Sequence, residues 1–440
     1  MFIDKIRKAI AKIDELYNSK TIRVVSHFDT DGITSAAIFS RALSRWGKKF
    51  NLEIVKGLDE NTIKNLPENE LLIFLDLASG SLNHLKGKNN IIIFDHHEIV
   101  QEIPGNVLMI NPVLEKECEP LSGAAICYLF ARELSKENRD LANLGVVGMV
   151  GDLHEKNIGK LFGEILEDSE TTIKKGLMLY PSTRPLNLAL EYSSNPYLPG
   201  VSGNREGVMN LLRDSGIPRE NGRYKSLCEL DENEMTRLIT AVVLKGRGEV
   251  DENALIGNLF MIKFLNKMED ARELSALINA CSRMGSPEIA LGFCLGNREF
   301  RAEAEKVYIS YKQNLVSALR YVENCKKVED KNYIIINAKD NIQDTVIGTV
   351  CSIMAHSPLY SEGKVIIGMA YSDNNKIKVS SRIVGRGGRN LREILGRVMT
   401  EFDGEVGGHP EAAGCVIKRE QEEAFIRELE GVLGMEVVKV

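Results

Sequence analysis

Apolar residues over the first 155 positions follow two alternating periods. Ile3, Ile6, Ile10, Ile13 and Leu16 recur at three- and four-residue spacing, which puts them on one face of a helix. Thr21–Ser26 (TIRVVS), Leu71–Leu75 (LLIFL), Asn90–Phe94 (NIIIF) and Val107–Ile110 (VLMI) are instead short continuous apolar runs rich in β-branched residues. Runs of this kind fit strands covered on both faces, as in a parallel sheet between helical layers. Ile33–Trp46, Ser122–Leu134 and Asn143–Val150 carry the helical pattern between and after them. The alternation predicts an α/β N-terminal domain built on a doubly wound parallel sheet.

From about Gly159 to Arg320 the pattern is mostly helical, interrupted by Pro-, Asn-, Ser- and Gly-rich loops at Tyr180–Pro185 and Ser193–Asn204. Phe300–Val328 is a long charged helical stretch suited to connecting two domains. Strand–helix alternation then returns. Tyr333–Asn337, Val365–Tyr371 and Lys376–Ser380 read as strands, and Asn390–Phe402 and Glu420–Leu433 as helices. The expected organisation is a catalytic domain over 1–158, a helical insertion and connector helix over 159–328, and a smaller α/β substrate-binding domain over 329–440. The two α/β lobes are expected to face each other across a cleft.

Composition narrows the function. The 440-residue chain is 43% hydrophobic and 27% charged with a formal net charge of −6, which fits a globular protein and not one that coats nucleic acid electrostatically. There is no apolar run of membrane-spanning length and no signal-peptide pattern at the N-terminus. The eight cysteines form no CxxC pair, so a reducing cytoplasm is the expected home.

Four clusters follow apolar segments: Ser26-His27-Phe28-Asp29-Thr30-Asp31-Gly32, Asp76, Asp95-His96-His97-Glu98, and Gly151-Asp152-Leu153-His154. The carboxyl ends of strands in a parallel sheet share one rim. His27, Asp29, Asp31, Asp76, Asp95, His96 and His97 are therefore expected together, where so many anionic groups repel one another unless cations hold them. Mixed imidazole and carboxylate donors suit manganese or another borderline divalent ion. There are ligands enough for two ions roughly 3.5–4 Å apart, a spacing suited to in-line displacement at phosphorus. A lone Asp152 reads as a cap, and His84, His154 and His356 read as structural residues.

A second signal lies near the C-terminus. Gly407-Gly408-His409-Pro410-Glu411-Ala412-Ala413-Gly414 precedes an apolar strand, and consecutive glycines let backbone N–H groups approach a phosphate. Upstream are Ser380-Ser381-Arg382 and Gly385-Arg386-Gly387-Gly388-Arg389. Lys376–Thr400 holds seven Lys/Arg against one Glu, a basic stretch within an acidic chain. Phosphate binding and a plain solvated face are both open readings of it.

The HFDTDG, LD, DHH and GD clusters, in this order and followed by GGHPEAAG, resemble the motifs of the DHH phosphoesterase superfamily. Leu277-Ile278-Asn279-Ala280-Cys281-Ser282-Arg283-Met284-Gly285 and Asn195-Pro196-Tyr197-Leu198-Pro199-Gly200-Val201-Ser202-Gly203 are similar to segments of archaeal RecJ-like proteins. His27 departs from the bacterial RecJ run, which has Asp at that position. The resemblance implies metal ligation by His27, Asp29, Asp31, Asp76, His96 and Asp152, with Asp76 bridging two Mn2+ ions for which Mg2+ or Co2+ could substitute. It implies that Asp95 orients a metal-bound imidazole and that His97 faces the scissile phosphate. Arg382, Gly407, Gly408 and His409 would hold substrate phosphates. The implied activity is a single-strand-specific exonuclease of DNA replication or repair, acting on DNA or RNA and releasing 5′-mononucleotides in the 5′→3′ direction. The implied partners are the GINS replication complex or a repair helicase. Two other roles compete: a phosphodiesterase of oligonucleotides or cyclic dinucleotides, and a replication-complex partner with vestigial nuclease activity. Aromatics make up only 6% of the chain, and the basic stretch holds none before Phe402, which favours short oligonucleotides or RNA over long DNA.

Overall fold

The computed structural model describes every residue except 1, 18–20, 59, 68–69, 100, 157, 194–197, 199, 247–254, 358, 386–387, 403, 405 and 435–440. Two compact units make up the chain, residues 1–308 and 309–440.

The first unit opens with α1 (Phe2–Leu16) and β1 (Ile22–His27), followed by α2 (Thr30–Arg45), β2 (Phe50–Val55) and α3 (Glu60–Lys64). β3 (Leu71–Leu75), β4 (Ile91–Phe94), β5 (Val107–Ile110), α4 (Gly123–Leu134) and α5 (Ala142–Gly151) complete this layer. The five strands form a wholly parallel sheet in the order β2-β1-β3-β4-β5. Chain direction across the sheet reverses between β1 and β3, and ligand sites of such sheets sit at that switch point. Alternate strand residues feed opposite cores. Val24, Ile73, Leu75, Ile92 and Phe94 pack with α1, α2, α4 and α5. Val25, Leu72, Phe74, Ile91 and Ile93 face Ile63, Leu82 and Leu85. The fully buried rings of Phe39, Phe94 and Phe130 pack with centroids 4.6–5.2 Å apart, each burial contributing about 1.5–3 kcal/mol.

The predicted strands and helices of this layer form, and β2 is an addition. Its sequence, FNLEIV, alternates polar and apolar residues because it is an edge strand paired only with β1, so it lacks the continuous apolar run of its neighbours.

The middle is less purely helical than its pattern predicts. After α6 (Lys160–Asp168), β6 (Thr172–Leu177) leads to α7 (Leu186–Glu191), α8 (Arg205–Asp214), the short pair β7 (Arg219–Glu220) and β8 (Arg223–Tyr224), and α9 (Glu232–Gly246). The chain returns through β9 (Ile256–Phe264) and β10 (Lys267–Asp270) to α10 (Ala271–Arg283), α11 (Pro287–Cys294) and the long α12 (Arg298–Asn324). β6, β9 and β10 form an antiparallel sheet, with β9 central. β6 escapes notice because only Gly176 and Leu177 of its six residues are buried. α7, α8 and α9 close a separate core around Leu186, Leu190, Leu211, Leu212 and Leu238.

The second unit holds β11 (Val328–Glu329), β12 (Tyr333–Lys339), α13 (Asp344–Ala355), β13 (Val365–Ser372) and β14 (Lys376–Ile383). They are followed by α14 (Leu391–Val398), β15 (Val406–His409), β16 (Ala412–Lys418) and α15 (Glu422–Gly434). Its mixed sheet runs β11-β12-β13-β14-β16-β15, with only β12 and β13 parallel. No helix among the described residues is long and apolar enough to cross a membrane.

Candidate metal centre

The site lies at the carboxyl ends of β1, β3 and β4. His27 ends β1. Asp29 is the N-cap of α2 and accepts the Gly32 N–H at 3.0 Å, so the loop turns at once into the helix. Gly32 is required there, because a Cβ would lie 2.2 Å from the His27 carbonyl oxygen. Asp31, in the first turn of α2, accepts N–H bonds from Gly123 at 2.5 Å and Ala124 at 2.9 Å, the positive end of α4. Asp76 follows β3 in a left-handed conformation (φ 57°) and its N–H bonds the Phe94 carbonyl at 2.8 Å. Asp152 caps the C-terminus of α5.

These side chains converge. Nδ1 of His27 is 3.1 Å from Asp29 Oδ2 and 3.6 Å from Asp76 Oδ2. Nε2 of His96 is 3.0 Å from Asp152 Oδ2, 3.3 Å from Asp76 Oδ1 and 3.7 Å from Asp31 Oδ2. Asp76 thus turns one oxygen towards each histidine. His27 Nδ1, both oxygens of Asp76 and His96 Nε2 are buried without a well-directed hydrogen-bond partner among the described residues. A buried carboxylate with neither hydrogen bonds nor a cation costs several kcal/mol.

The electrostatics carry the same message. Burial, then the neighbouring Asp76 and Asp152, push the Asp31 carboxyl well above the usual range. Burial and Asp29 raise Asp76 likewise. Burial works against charge on His27 and His96, yet Asp29 and Asp76 lift His27 well above an ordinary imidazole. Asp152 and Asp76 lift His96 to about 12. Protons are held where a divalent cation would compensate the same charge. Imidazole with carboxylate is a donor set for a borderline divalent ion, and the residues fit that role.

The imidazole that Asp95 holds is that of His97. It is fully buried, accepts from Ser79 N–H at 2.9 Å and from His96 N–H at 2.8 Å, and lies 2.7 Å from His97 Nδ1. Burial opposes its charge, but the bonds to His97 and Ser79 keep its pKa below the usual carboxylate range. It therefore orients the half-exposed His97, whose Nδ1 is 3.9 Å from Asp76 Oδ1, while His96 meets both Asp76 and Asp152 more closely.

His154, read as a structural residue, lies beside the site. Its ring meets that of His96 edge-on at 5.4 Å, and His96, Asp152 and His154 can each turn a ligand atom to within 4.8 Å of the others. The signal was its place two residues after Asp152. Leu153, in a left-handed turn (φ 59°), brings it back to the site. His84 and His356 are not among the metal-capable groups of the described residues.

In the second unit, Arg382 lies on β14, with Nε bonded to Ser352 Oγ at 2.9 Å and Nη1 to the Ser381 carbonyl at 2.7 Å. Gly407, Gly408 and His409 lie in an exposed edge strand, and the turn that follows is Pro410–Glu411. Gly408 has φ 112° and runs so close to β16 that a Cβ would lie 2.3 Å from the Ala412 carbonyl oxygen. Ala412 pairs with Arg382 on one side and His409 on the other, which puts all three on one rung and one face of the sheet. Arg386 and Gly387, and residues 195–197 and 199, lie outside the described residues.

Comparison with known proteins gives three matches in chain order: the DHH family N-terminal domain over residues 21–149, the DHH-CID domain over 179–254 and the DHHA1 domain over 330–435. An uncharacterized protein of Methanocaldococcus jannaschii is 29% identical over 98% of this chain and 97% of its own length. The single-stranded-DNA-specific exonuclease RecJ of Thermus thermophilus is 27% identical over 42% of this chain, a match covering 29% of RecJ. The structure of that RecJ with Mn2+ superposes with a TM-score of 0.62 at 19% identity, over 98% of this chain and 55% of RecJ. The chain thus spans about half of that relative. CDC45 from Entamoeba histolytica superposes with a TM-score of 0.67 at 12% identity, over 98% of this chain and 99% of CDC45. These two likenesses concern the fold. With its DHH, DHH-CID and DHHA1 domains in sequence, the chain belongs to the DHH phosphoesterase superfamily of metal-dependent hydrolases.

Proposed function

We propose that the chain is a manganese-dependent exonuclease that removes 5′-mononucleotides from single-stranded DNA or RNA in the 5′→3′ direction, in DNA replication or repair. The observation that carries this reading is the buried Asp76 carboxylate, which lies between His27 and His96 with both oxygens lacking well-directed hydrogen bonds. His27, Asp29 and Asp76 would hold one ion, and Asp31, Asp76, His96 and Asp152 a second. Two divalent ions bound there would activate water as the nucleophile and neutralise the charge developing on the phosphate during in-line displacement. Asp95 holds the His97 ring through Nδ1 and leaves Nε2 to meet a phosphate oxygen. Arg382, Gly407, Gly408 and His409 would hold phosphates of the strand, Arg382 by charge and the exposed Gly407–Gly408 edge by backbone groups. In this reading residues 1–158 are the catalytic domain, 159–328 an insertion with the connector helix, and 329–440 the substrate-binding domain. The setting is cytoplasmic, with GINS or a repair helicase as partner.

Digestion of 5′- and 3′-end-labelled DNA and RNA strands with Mn2+, Mg2+ or Co2+ tests the reading, and the end that first loses label gives the polarity. A phosphodiesterase of short oligonucleotides or cyclic dinucleotides would cleave a dinucleotide as fast as a twenty-mer. The CDC45-like fold favours a second role, a replication-complex partner with vestigial nuclease activity. That role would be supported by a protein that binds Mn2+ and degrades no single strand.

A further inference from the structure

α10 is tied at both ends to parts of the chain that are remote in sequence. At its N-terminal end Asp270, the N-cap, accepts the Ser182 hydroxyl at 2.6 Å. One turn on, Glu273 accepts from both the N–H and the hydroxyl of Thr183, at 2.9 and 2.7–2.8 Å. Ser182 and Thr183 lie within the DHH-CID match. Further along, the Ser275 carbonyl accepts the Thr30 hydroxyl at 2.9 Å, and Asn279 Oδ1 accepts the Thr30 N–H at 3.0 Å.

Thr30 stands between Asp29 and Asp31 and is the first residue of α2. An N–H in the first helical turn has no partner within its own helix. Here that partner comes from a helix 249 positions away in the chain. The packing leaves no slack. A Cβ on Gly151, next to Asp152, would lie 2.9 Å from Thr30 Cγ2 and 3.2 Å from Ser275 Oγ. The metal loop, the end of α5 that carries Asp152 and the middle of α10 therefore meet at one point. The other face of α10 is anchored by Leu274, Leu277, Ile278 and Cys281, which are buried in the first unit's main core. From Asp270 to Asn279 the helix spans about 13 Å.

We propose that α10 is a strut that makes divalent-ion binding at the Asp29–Asp31 loop depend on the seating of the DHH-CID segment. Asn279 is the positioning residue at the metal end, and Thr183 with Glu273 forms the far end. The inference rests on the metal-site reading above and adds a remote control of its affinity. Because α2 starts at the metal loop, losing the Asn279 acceptor frees the loop backbone without removing any ligand.

Mn2+ titration by calorimetry on the full chain, without substrate, tests it. Asn279→Leu is expected to weaken Mn2+ binding about tenfold, the usual cost of removing a group that orients ligands. Asn279→Asp, which keeps an acceptor oxygen in place, is expected to bind Mn2+ at least as tightly as the wild type. Thr183→Val, remote from every ligand, is expected to weaken binding about two- to fivefold, the worth of one hydrogen bond. The double variant Asn279→Leu/Thr183→Val is expected to lose less than the product of the single losses, because the far end acts through the near one. Wild-type affinity in Thr183→Val overturns the strut, whatever Asn279→Leu does. If Asn279→Leu does not fold, Thr183→Val and Asn279→Asp carry the test alone. Asp76→Asn separates the two ideas: unchanged Mn2+ binding in that variant would defeat the metal site itself. Its loss, beside unaltered affinity in Asn279→Leu, would defeat only the strut.

Discussion

Nε2 of His96 stands 3.3 Å from Oδ1 of Asp76. The other oxygen of that carboxylate faces His27, so Asp76 is shared by the group around His27 and a group that contains His96. Asp76→Asn is the informative substitution, since Asn tolerates the left-handed backbone at φ 57° better than Ala does. It should lower hydrolysis by at least about a thousandfold, comparable with losing one strong electrostatic group of a catalytic site. In chelator, its thermal unfolding should stay at or above wild type, because a buried carboxyl crowded by Asp29 and Asp31 no longer has to be accommodated. Scanning calorimetry with and without Mn2+ reads both states.

Metal removal should lower the stability of the wild type. Saturating Mn2+ at about 100 times its dissociation constant stabilises the folded state by about 2.7 kcal/mol. Unfolding followed in Mn2+ and in chelator should differ accordingly, and the difference should vanish in Asp76→Asn. An equal shift in both proteins would place the stabilising ion elsewhere.

His154→Ala should weaken Mn2+ binding about tenfold while sparing the fold. Its ring lies against His96, and together with Asp152 it can approach one ion. Mn2+ titration of the variant decides whether it takes part in ligation, and unaltered affinity would return it to a packing role.

Gly148→Ala should damage both stability and metal binding. A Cβ there would lie 2.3 Å from the Ala124 Cβ and 2.6 Å from Asp31 Oδ1. Overpacking of this kind costs about 1–3 kcal/mol, and relief would push Asp31 off the α4 N–H groups. Urea unfolding gives the first effect and Mn2+ titration the second.

Arg382→Ala should raise the KM for a single strand about 10- to 100-fold, the worth of a charge-assisted bond of about 1.5–3 kcal/mol. Its Mn2+ affinity should be that of the wild type. Steady-state kinetics across strand lengths checks the first and calorimetry the second. A loss of metal binding would refute the separate roles given to Arg382 and the acidic cluster.

Much of this was legible in the sequence, for a physical reason. His27 ends a buried parallel strand, Asp29, Asp31, Asp76, Asp95 and His96 follow one, and such strands have both a recognisable composition and a known functional end. What escaped depends on neighbours that no local pattern records. β2 and β6 present mostly polar residues because one side of each is exposed. Which imidazole Asp95 holds is set by ring orientation, and it proved to be that of His97. His154 is a single histidine whose position depends on the left-handed Leu153. The rung shared by Arg382 and His409 requires the register of three strands, two of them far apart in sequence. Asn279 belonged to a segment similar to RecJ-like proteins, but its contact with Thr30 spans most of the first unit's sequence.

The most direct test of the central claim compares wild type and Asp76→Asn on a 5′-end-labelled single strand with Mn2+ over time. The wild type should release labelled 5′-mononucleotide progressively, and the variant none above background. An inert wild type, or a variant that keeps most of the activity, would contradict that claim.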